Sequence, residues 1–323
     1  LMIKFRKGFK EHYMLRFETP YLRKSKKIGL NTHIEFFRRK KTYYKTDRNQ
    51  LIYFENEENN YSSNEFLFDF ELIYKNNLNT KHKINLNYHQ IKIDNEISIL
   101  NPNYIISQDE NSSKDYFYKI SYQYILEKRN NNIYPNKGHY LDFEIGKNFS
   151  PNINHIEFNS HVEKHFSLNK SLFFGSSLKT RITNSSQQAY YSAQTLGFDD
   201  YVRGYEFYVI DGEDFYLSKT AIKYAIIKNK KYDLPYLNIK QFKKSHFSIY
   251  ATIFSDFGYA KNNTEFINNS LTNTMLWGRG FSLDYVTYYD KLLRIEFSIN
   301  ELGEKGVFLH FSNPFGETNK KWK

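Results

Sequence analysis

An apolar side chain at every second position, recurring along segments of about ten residues over nearly the whole chain, is the feature that most restricts this sequence. Ile28, Leu30, Thr32, Ile34 and Phe36 share one face of such a segment, and Gly29, Asn31, His33 and Glu35 the other. Leu293, Ile295, Phe297 and Ile299 alternate in the same way with Arg294, Glu296, Ser298 and Asn300. A repeat of two marks a β-strand, whose successive side chains leave on opposite faces. Strands are expected at 10–18, 26–38, 64–75, 81–93, 115–128, 138–149, 153–166, 170–182, 214–227, 245–259, 273–286, 291–300 and 305–315. Residues 1–7 read as the tail of another, which makes about fourteen strands. Each is near the roughly 9–11 residues with which a tilted strand crosses a bilayer.

Composition decides what lies outside such a sheet. Aromatic residues make up 19% of the chain, with 29 Tyr and 29 Phe, more than a soluble core ordinarily uses. A membrane barrel places aromatics in girdles at both interfaces. No run of about 18 apolar residues exists, so no transmembrane helix is available, and no convincing helix of any kind is expected. The fold class is therefore all-β, a transmembrane antiparallel β-barrel. A soluble aromatic-rich β-protein that binds polyanions is the competing reading. It predicts solubility without detergent, which the apolar outward faces oppose.

The chain has no Cys, which excludes disulfides and thiolate metal sites. Its net charge of +11 is spread over presumed turns such as Arg23–Lys27, Arg38–Lys41 and Lys240–Lys244. Outer-membrane lipids, including lipopolysaccharide, fit that distribution better than nucleic acid. The 10 His form no metal-binding pattern, so neither a metal nor a cofactor is expected, and no catalytic triad can be defended.

Short connections (19–25, 76–80, 129–137, 287–290) alternate with long ones (39–63, 94–114, 183–213), as periplasmic turns and extracellular loops do in outer-membrane barrels. The connection 228–244 is long on the periplasmic side. Strand parity makes 48–56 part of an extracellular hairpin rather than a spanning strand.

Four local signals go beyond the alternation. Val202-Arg203-Gly204-Tyr205 lies inside the longest loop; Gly204 permits a tight turn and Arg203 offers a planar fork to a carboxylate. Phe254-Ser255-Asp256-Phe257-Gly258 puts Asp256 on the inward face with Tyr250, Thr252, Phe254 and Gly258. Trp277-Gly278-Arg279-Gly280-Phe281 puts Gly278 and Gly280 inward on the next strand, making a concavity. Tyr134-Pro135-Asn136-Lys137-Gly138, after Arg129, is a turn.

In order and spacing these four resemble the BamA/TamA family of outer-membrane assembly and translocation factors. The resemblance covers essentially the whole chain, most specifically 129–315. It implies that the loop folds into the lumen, where Arg203 pairs with Asp256 and Gly258, Gly278 and Gly280 make room. It further implies that the last strand is a terminal signal strand, with Val307, Leu309 and Phe311 along it and Phe315 as its closing aromatic. Ala221 stands where relatives often carry an acidic residue. Residues 1–315 would form the barrel and 316–323 a tail. The family's sixteen-stranded barrel would begin before residue 1, together with POTRA domains, and the opening Leu1-Met2-Ile3-Lys4-Phe5 has no secretory leader.

The role implied is insertion or translocation of client outer-membrane or secreted proteins, with periplasmic accessory subunits, in the outer membrane of a Gram-negative bacterium. A two-partner-secretion transporter or a passive pore is the alternative. No enzymatic activity is implied.

Overall fold

The computed structural model describes residues 1–22, 26–56, 60–106, 113–185, 188–233, 244–263, 268–287 and 291–315. The tail 316–323 and most of the basic stretches 23–27 and 240–244 lie outside the described residues. In chain order the elements are β1 (Met2–Arg6), β2 (Lys10–Thr19), β3 (Ile28–Arg39), β4 (Lys41–Asp47), β5 (Gln50–Glu55), β6 (Ser63–Lys75) and β7 (Thr80–Ile93). A short helix α1 (Asn95–Leu100) follows, then β8 (Lys114–Glu127), β9 (Gly138–Phe149), β10 (Asn154–Ser167), β11 (Leu172–Thr183), β12 (Gln194–Leu196) and β13 (Ile210–Asp211). The rest are β14 (Asp214–Asp233), β15 (Lys244–Lys261), β16 (Leu276–Thr287), β17 (Leu292–Asn300) and β18 (Lys305–His310).

Fourteen of these strands form one sheet of consecutive antiparallel neighbours. The pairs β4–β5 and β12–β13 stand outside it as separate ribbons, so β3 pairs directly with β6 and β11 with β14. Residues 48–56 accordingly belong to a hairpin extension and not to the wall.

The burial pattern is inverted relative to a soluble sheet. On β17, Arg294, Glu296, Ser298 and Asn300 are at most 1% exposed, whereas Ile295 is 49% exposed. On β15 the buried positions are Tyr250, Thr252, Phe254 and Asp256, while Ile253 and Phe257 face out. Phe281 and Leu283 continue the exposed belt on β16. Apolar atoms outward and hydrogen-bonding groups inward is the arrangement that a hydrocarbon solvent selects.

Contacts between distant strands show that the sheet curls around an interior. The β4–β5 hairpin reaches the β15–β16 connection, where Asn49 N donates to Asn269 Oδ1 at 2.9 Å and Asn269 Nδ2 to the Thr46 carbonyl at 3.0 Å. At the other end Asn313 Nδ2, beyond β18, donates to the Asn132 carbonyl in the β8–β9 turn at 3.2 Å. Among the described residues β1 pairs with β2 and β18 with β17, and these two end strands are not paired with each other.

Three expectations are corrected. The segment 94–114 contains a helix after all: Asp94 caps α1 by accepting from Glu96 N, and Ile97 is fully buried. Six residues are too few to show a helical period. The 228–244 connection opens as strand, because β14 runs on to Asp233 through register shifts near Ala225 and Ile227, and residues 234–243 lie outside the described residues. Its Lys-rich composition hid the pairing. The last strand ends at His310 rather than at 315. Pro314 has no N–H for a ladder, and Asn313 Oδ1 accepts from Phe315 N at 3.1 Å, turning the chain inward.

The outward belt makes a direct prediction. Ile253→Lys puts a charge where the side chain is 68% exposed to lipid, and should destabilise the barrel in vesicles by about 2–4 kcal/mol near the bilayer midplane. Urea titration followed by the mobility of the folded band measures this; an unchanged midpoint would place that face in water.

Candidate functional site

Two segments enter the interior from opposite ends and dock on the inner faces of β15 and β16. The first is the long loop between β11 and β14. Its base is pinched by the β12–β13 ribbon, in which Gln194 pairs with Asp211 and Leu196 with Ile210. Its tip carries Val202, Arg203 and Tyr205, all buried. Gly204 sits at φ +91°, in the left-handed region that a side chain disfavours, and this reverses the chain at the tip.

Arg203 and Asp256 meet as a two-pronged pair with no exposed surface on either side chain. Nε donates to Oδ2 at 2.7 Å and Nη2 to Oδ1 at 2.5 Å, while the Arg203 backbone N–H adds a third contact to Oδ2 at 3.3 Å. The guanidinium lies 3.7 Å from the centre of the Phe254 ring, a cation–π contact in a dry setting. A side chain on Gly278 would overlap the Arg203 carbonyl oxygen, and one on Gly258 would overlap Val202. Gly280 acts one layer further back: a side chain there would strike the Phe254 ring and the Phe297 carbonyl. The loop is also tied to β17 and the turn after it. Asn300 Nδ2 donates to the Gly204 carbonyl at 2.9 Å, and Tyr205 Oη accepts from Glu301 N at 3.2 Å.

The second segment is the β8–β9 turn, which the sequence marks only as a turn. Asn131 Oδ1 accepts from the backbone N–H of Ile133 and Tyr134, and Asn130 Oδ1 from those of Asn136 and Lys137, so the turn is held by its own side chains. This rigid turn drives Tyr134 into the wall, where its hydroxyl donates to Asp284 Oδ2 at 2.6 Å. Thr252 and Ser282 donate to the same carboxylate, each at 2.8 Å. Lys223 Nζ donates to the Pro135 carbonyl at 2.8 Å and lies over the rings of Tyr134 and Phe315. Arg129 anchors the turn's other arm to Glu163 on β10 at 2.9 Å. An aromatic residue within a polar turn was the signal for this docking, and it is visible only in hindsight.

The terminal-strand residues divide. Val307, Leu309 and Phe311 point outward and are strongly exposed. Phe315 does not continue that row: it is 1% exposed, packs against His165 with ring centres 5.0 Å apart, and clusters with Ala221 and Phe254. Ala221 therefore makes an apolar contact with Phe254 and Phe315.

Above the wall the outer loops close over one another. Ile97, Tyr104, Ile105, Tyr190 and Tyr191 form a shared apolar cluster with the ends of β7. Asp211 is buried in this region, and burial pushes its carboxyl up to about 6.

The Omp85 superfamily domain matches residues 3–300. Among curated proteins none matches the chain in sequence. Among solved structures, BamA from Haemophilus ducreyi lacking POTRA domains 1–3 is 12% identical with a TM-score of 0.62; the alignment covers 94% of this chain and 60% of that one. CdiB from Escherichia coli is 11% identical with a TM-score of 0.53, over 94% of this chain and 51% of that one. The chain thus spans less than two thirds of either protein, and what it shares with them is the fold.

Two measurements test the site's energetics. Arg203→Ala leaves Asp256 buried and unpaired, which should cost about 3–5 kcal/mol. Arg203→Ala with Asp256→Ala should recover part of that loss, because neither member of the pair is left without the other; equal urea midpoints for the single and double variants would deny the coupling. For Asp211 the native state holds a proton that the unfolded chain releases, so stability falls as pH rises from about 4 to about 6. Asp211→Asn should add up to about 3 kcal/mol near neutral pH and flatten that dependence. A wild-type protein equally stable at both ends of the window would show that Asp211 is hydrated.

Proposed function

The chain belongs to the Omp85 superfamily and is a β-barrel of the Gram-negative outer membrane, and from that premise we propose that it inserts or translocates client proteins through a seam at β18. The observation that carries this reading is the filled interior. The Val202–Tyr205 loop and the Tyr134 turn both occupy the lumen, which disfavours a standing aqueous pore. In this reading β18 is one lip of the seam, and an opened strand edge can template an incoming strand, adding main-chain hydrogen bonds one residue pair at a time.

In this reading Val202, Arg203, Gly204 and Tyr205 form a latch, and Phe254, Asp256, Gly258, Gly278 and Gly280 are the wall on which it closes. Docked, the latch holds β15–β17 in register and stiffens the barrel. Val307, Leu309 and Phe311 present an apolar row to the lipid beside the client's path. Outer-membrane or secreted proteins are the clients, periplasmic accessory subunits deliver them, and lipopolysaccharide contacts the outer rim. No chemical step is required of the barrel; the work is done by strand exchange in a thinned or opened wall.

The full chain reconstituted in lipid vesicles provides the test. It should speed the appearance of folded, protease-resistant client barrels, and should show little steady conductance in planar bilayers. Arg203→Ala should slow client folding even in the fraction of protein that remains folded. A large constant conductance without any effect on client folding would overturn the reading in favour of a passive pore.

A further inference from the structure

Three ligating side chains far apart in sequence converge beside the latch. Glu206 follows Tyr205 in the loop, Glu296 is on the inner face of β17, and His310 ends β18. A carboxylate oxygen of each Glu and the His310 Nε2 all lie within 4.8 Å of one another. Glu296 is fully buried, and its Oε1 accepts no hydrogen bond from the described residues. Its Oε2 lies 3.1 Å from Arg294 Nε, without hydrogen-bond alignment.

The remaining atoms of the group are already directed. Glu206 Oε2 accepts from Gly204 N at 2.8 Å, which aims Oε1 at the histidine. His310 Nδ1 lies 3.3 Å from the Tyr201 hydroxyl, and the two rings stack with centres 5.8 Å apart. With the Nδ1 proton on that hydroxyl, Nε2 presents a lone pair to the two carboxylates. Its 3.8 Å separation from Glu206 Oε1 is too long for a hydrogen bond. Three electron-rich atoms thus face one another; Arg203, held by Asp256, and Arg294, beside one oxygen, lie near Glu296 but donate a hydrogen bond to none of the three.

We infer that Glu206, Glu296 and His310 form a divalent-cation site. One imidazole and two carboxylates suit zinc or a similar first-row ion, with water completing the shell. Ligands around such an ion, at bonds of about 2.0–2.2 Å, sit roughly 3.3 Å apart, so closing the present group needs only small side-chain movements. The Tyr201 contact is the kind of outer hydrogen bond that orients a metal-bound histidine. A bound ion would join the loop, β17 and β18 in one cross-link, clamping the latch to the last strand. This inference stands on geometry alone and does not depend on the proposed insertion activity.

The full chain in detergent micelles, stripped with a chelator, is titrated near neutral pH with zinc alone against a chromophoric zinc indicator. One ion per chain is expected, with a rise in the temperature at which the folded band is lost. Glu296→Gln and His310→Ala should each weaken binding by roughly tenfold or more and abolish the thermal shift. If either fails to fold, Glu206→Gln, which lies in the loop outside the wall, gives the same readout. Three outcomes would overturn the site: no stoichiometric zinc in folded wild type, undiminished binding in the folded variants, or stabilisation that comes with acidification and not with metal. The last would mean that a proton, not an ion, fills the gap.

Discussion

Hydrocarbon outside the wall is the constraint from which the rest follows. Backbone N–H and C=O groups cannot find water there, so each strand must pair with its neighbours, and the fourteen consecutive strands do this along every seam between them. The same solvent sends Ile253, Phe281 and Ile295 outward and leaves the inner faces to Arg294, Glu296, Asp256 and Asp284. Charges placed inside cannot be left alone, since an unpaired buried ion costs several kcal/mol. The interior therefore has to supply partners, and the loop and turn segments supply them.

The inner face of β15 shows how this is arranged. From the outer end inward, Gly258 meets Val202, Asp256 meets Arg203, Phe254 lies under the guanidinium and against Phe315, and Thr252 shares Asp284 with Tyr134. Tyr250 then accepts Asn136 Nδ2 at 3.2 Å and packs on Tyr134. Consecutive inward positions of one strand thus contact three separate segments. Because the period is two, each position is fixed by the pleat, and a slip of one residue would send Asp256 into lipid.

Much of this was legible from alternation. The strand set, the inward phase of Asp256 and Gly278, and the exclusion of 48–56 from the wall all rest on local pattern, and a barrel is built from nearest neighbours in sequence. What alternation does not carry is contact across the lumen. Tyr134 lies in a turn whose sequence says only that the chain reverses, and its partner Asp284 is on a strand met much later. Phe315 has the parity of an outward residue and is turned inward by Asn313 and Pro314. Glu206, Glu296 and His310 belong to three elements that only the curled sheet brings together.

The shared wall also couples the two ends. Phe254 touches the Arg203 guanidinium on one side and Phe315 on the other, with Gly280 leaving the space its ring occupies. Withdrawing Arg203 would strand Asp256 and uncover that ring, loosening the packing of Phe315. Phe315 is five residues beyond the end of β18, so the outer loop and the last strand are connected through a single aromatic side chain. A rigid sheet cannot pass on a displacement by bending along its ladder, but a ring packed between two docked segments can, because either segment can leave without breaking a strand pair. The filled lumen is in this sense a connection as well as a plug, and it ties the docking of the Val202–Tyr205 loop to the segment that follows the last strand.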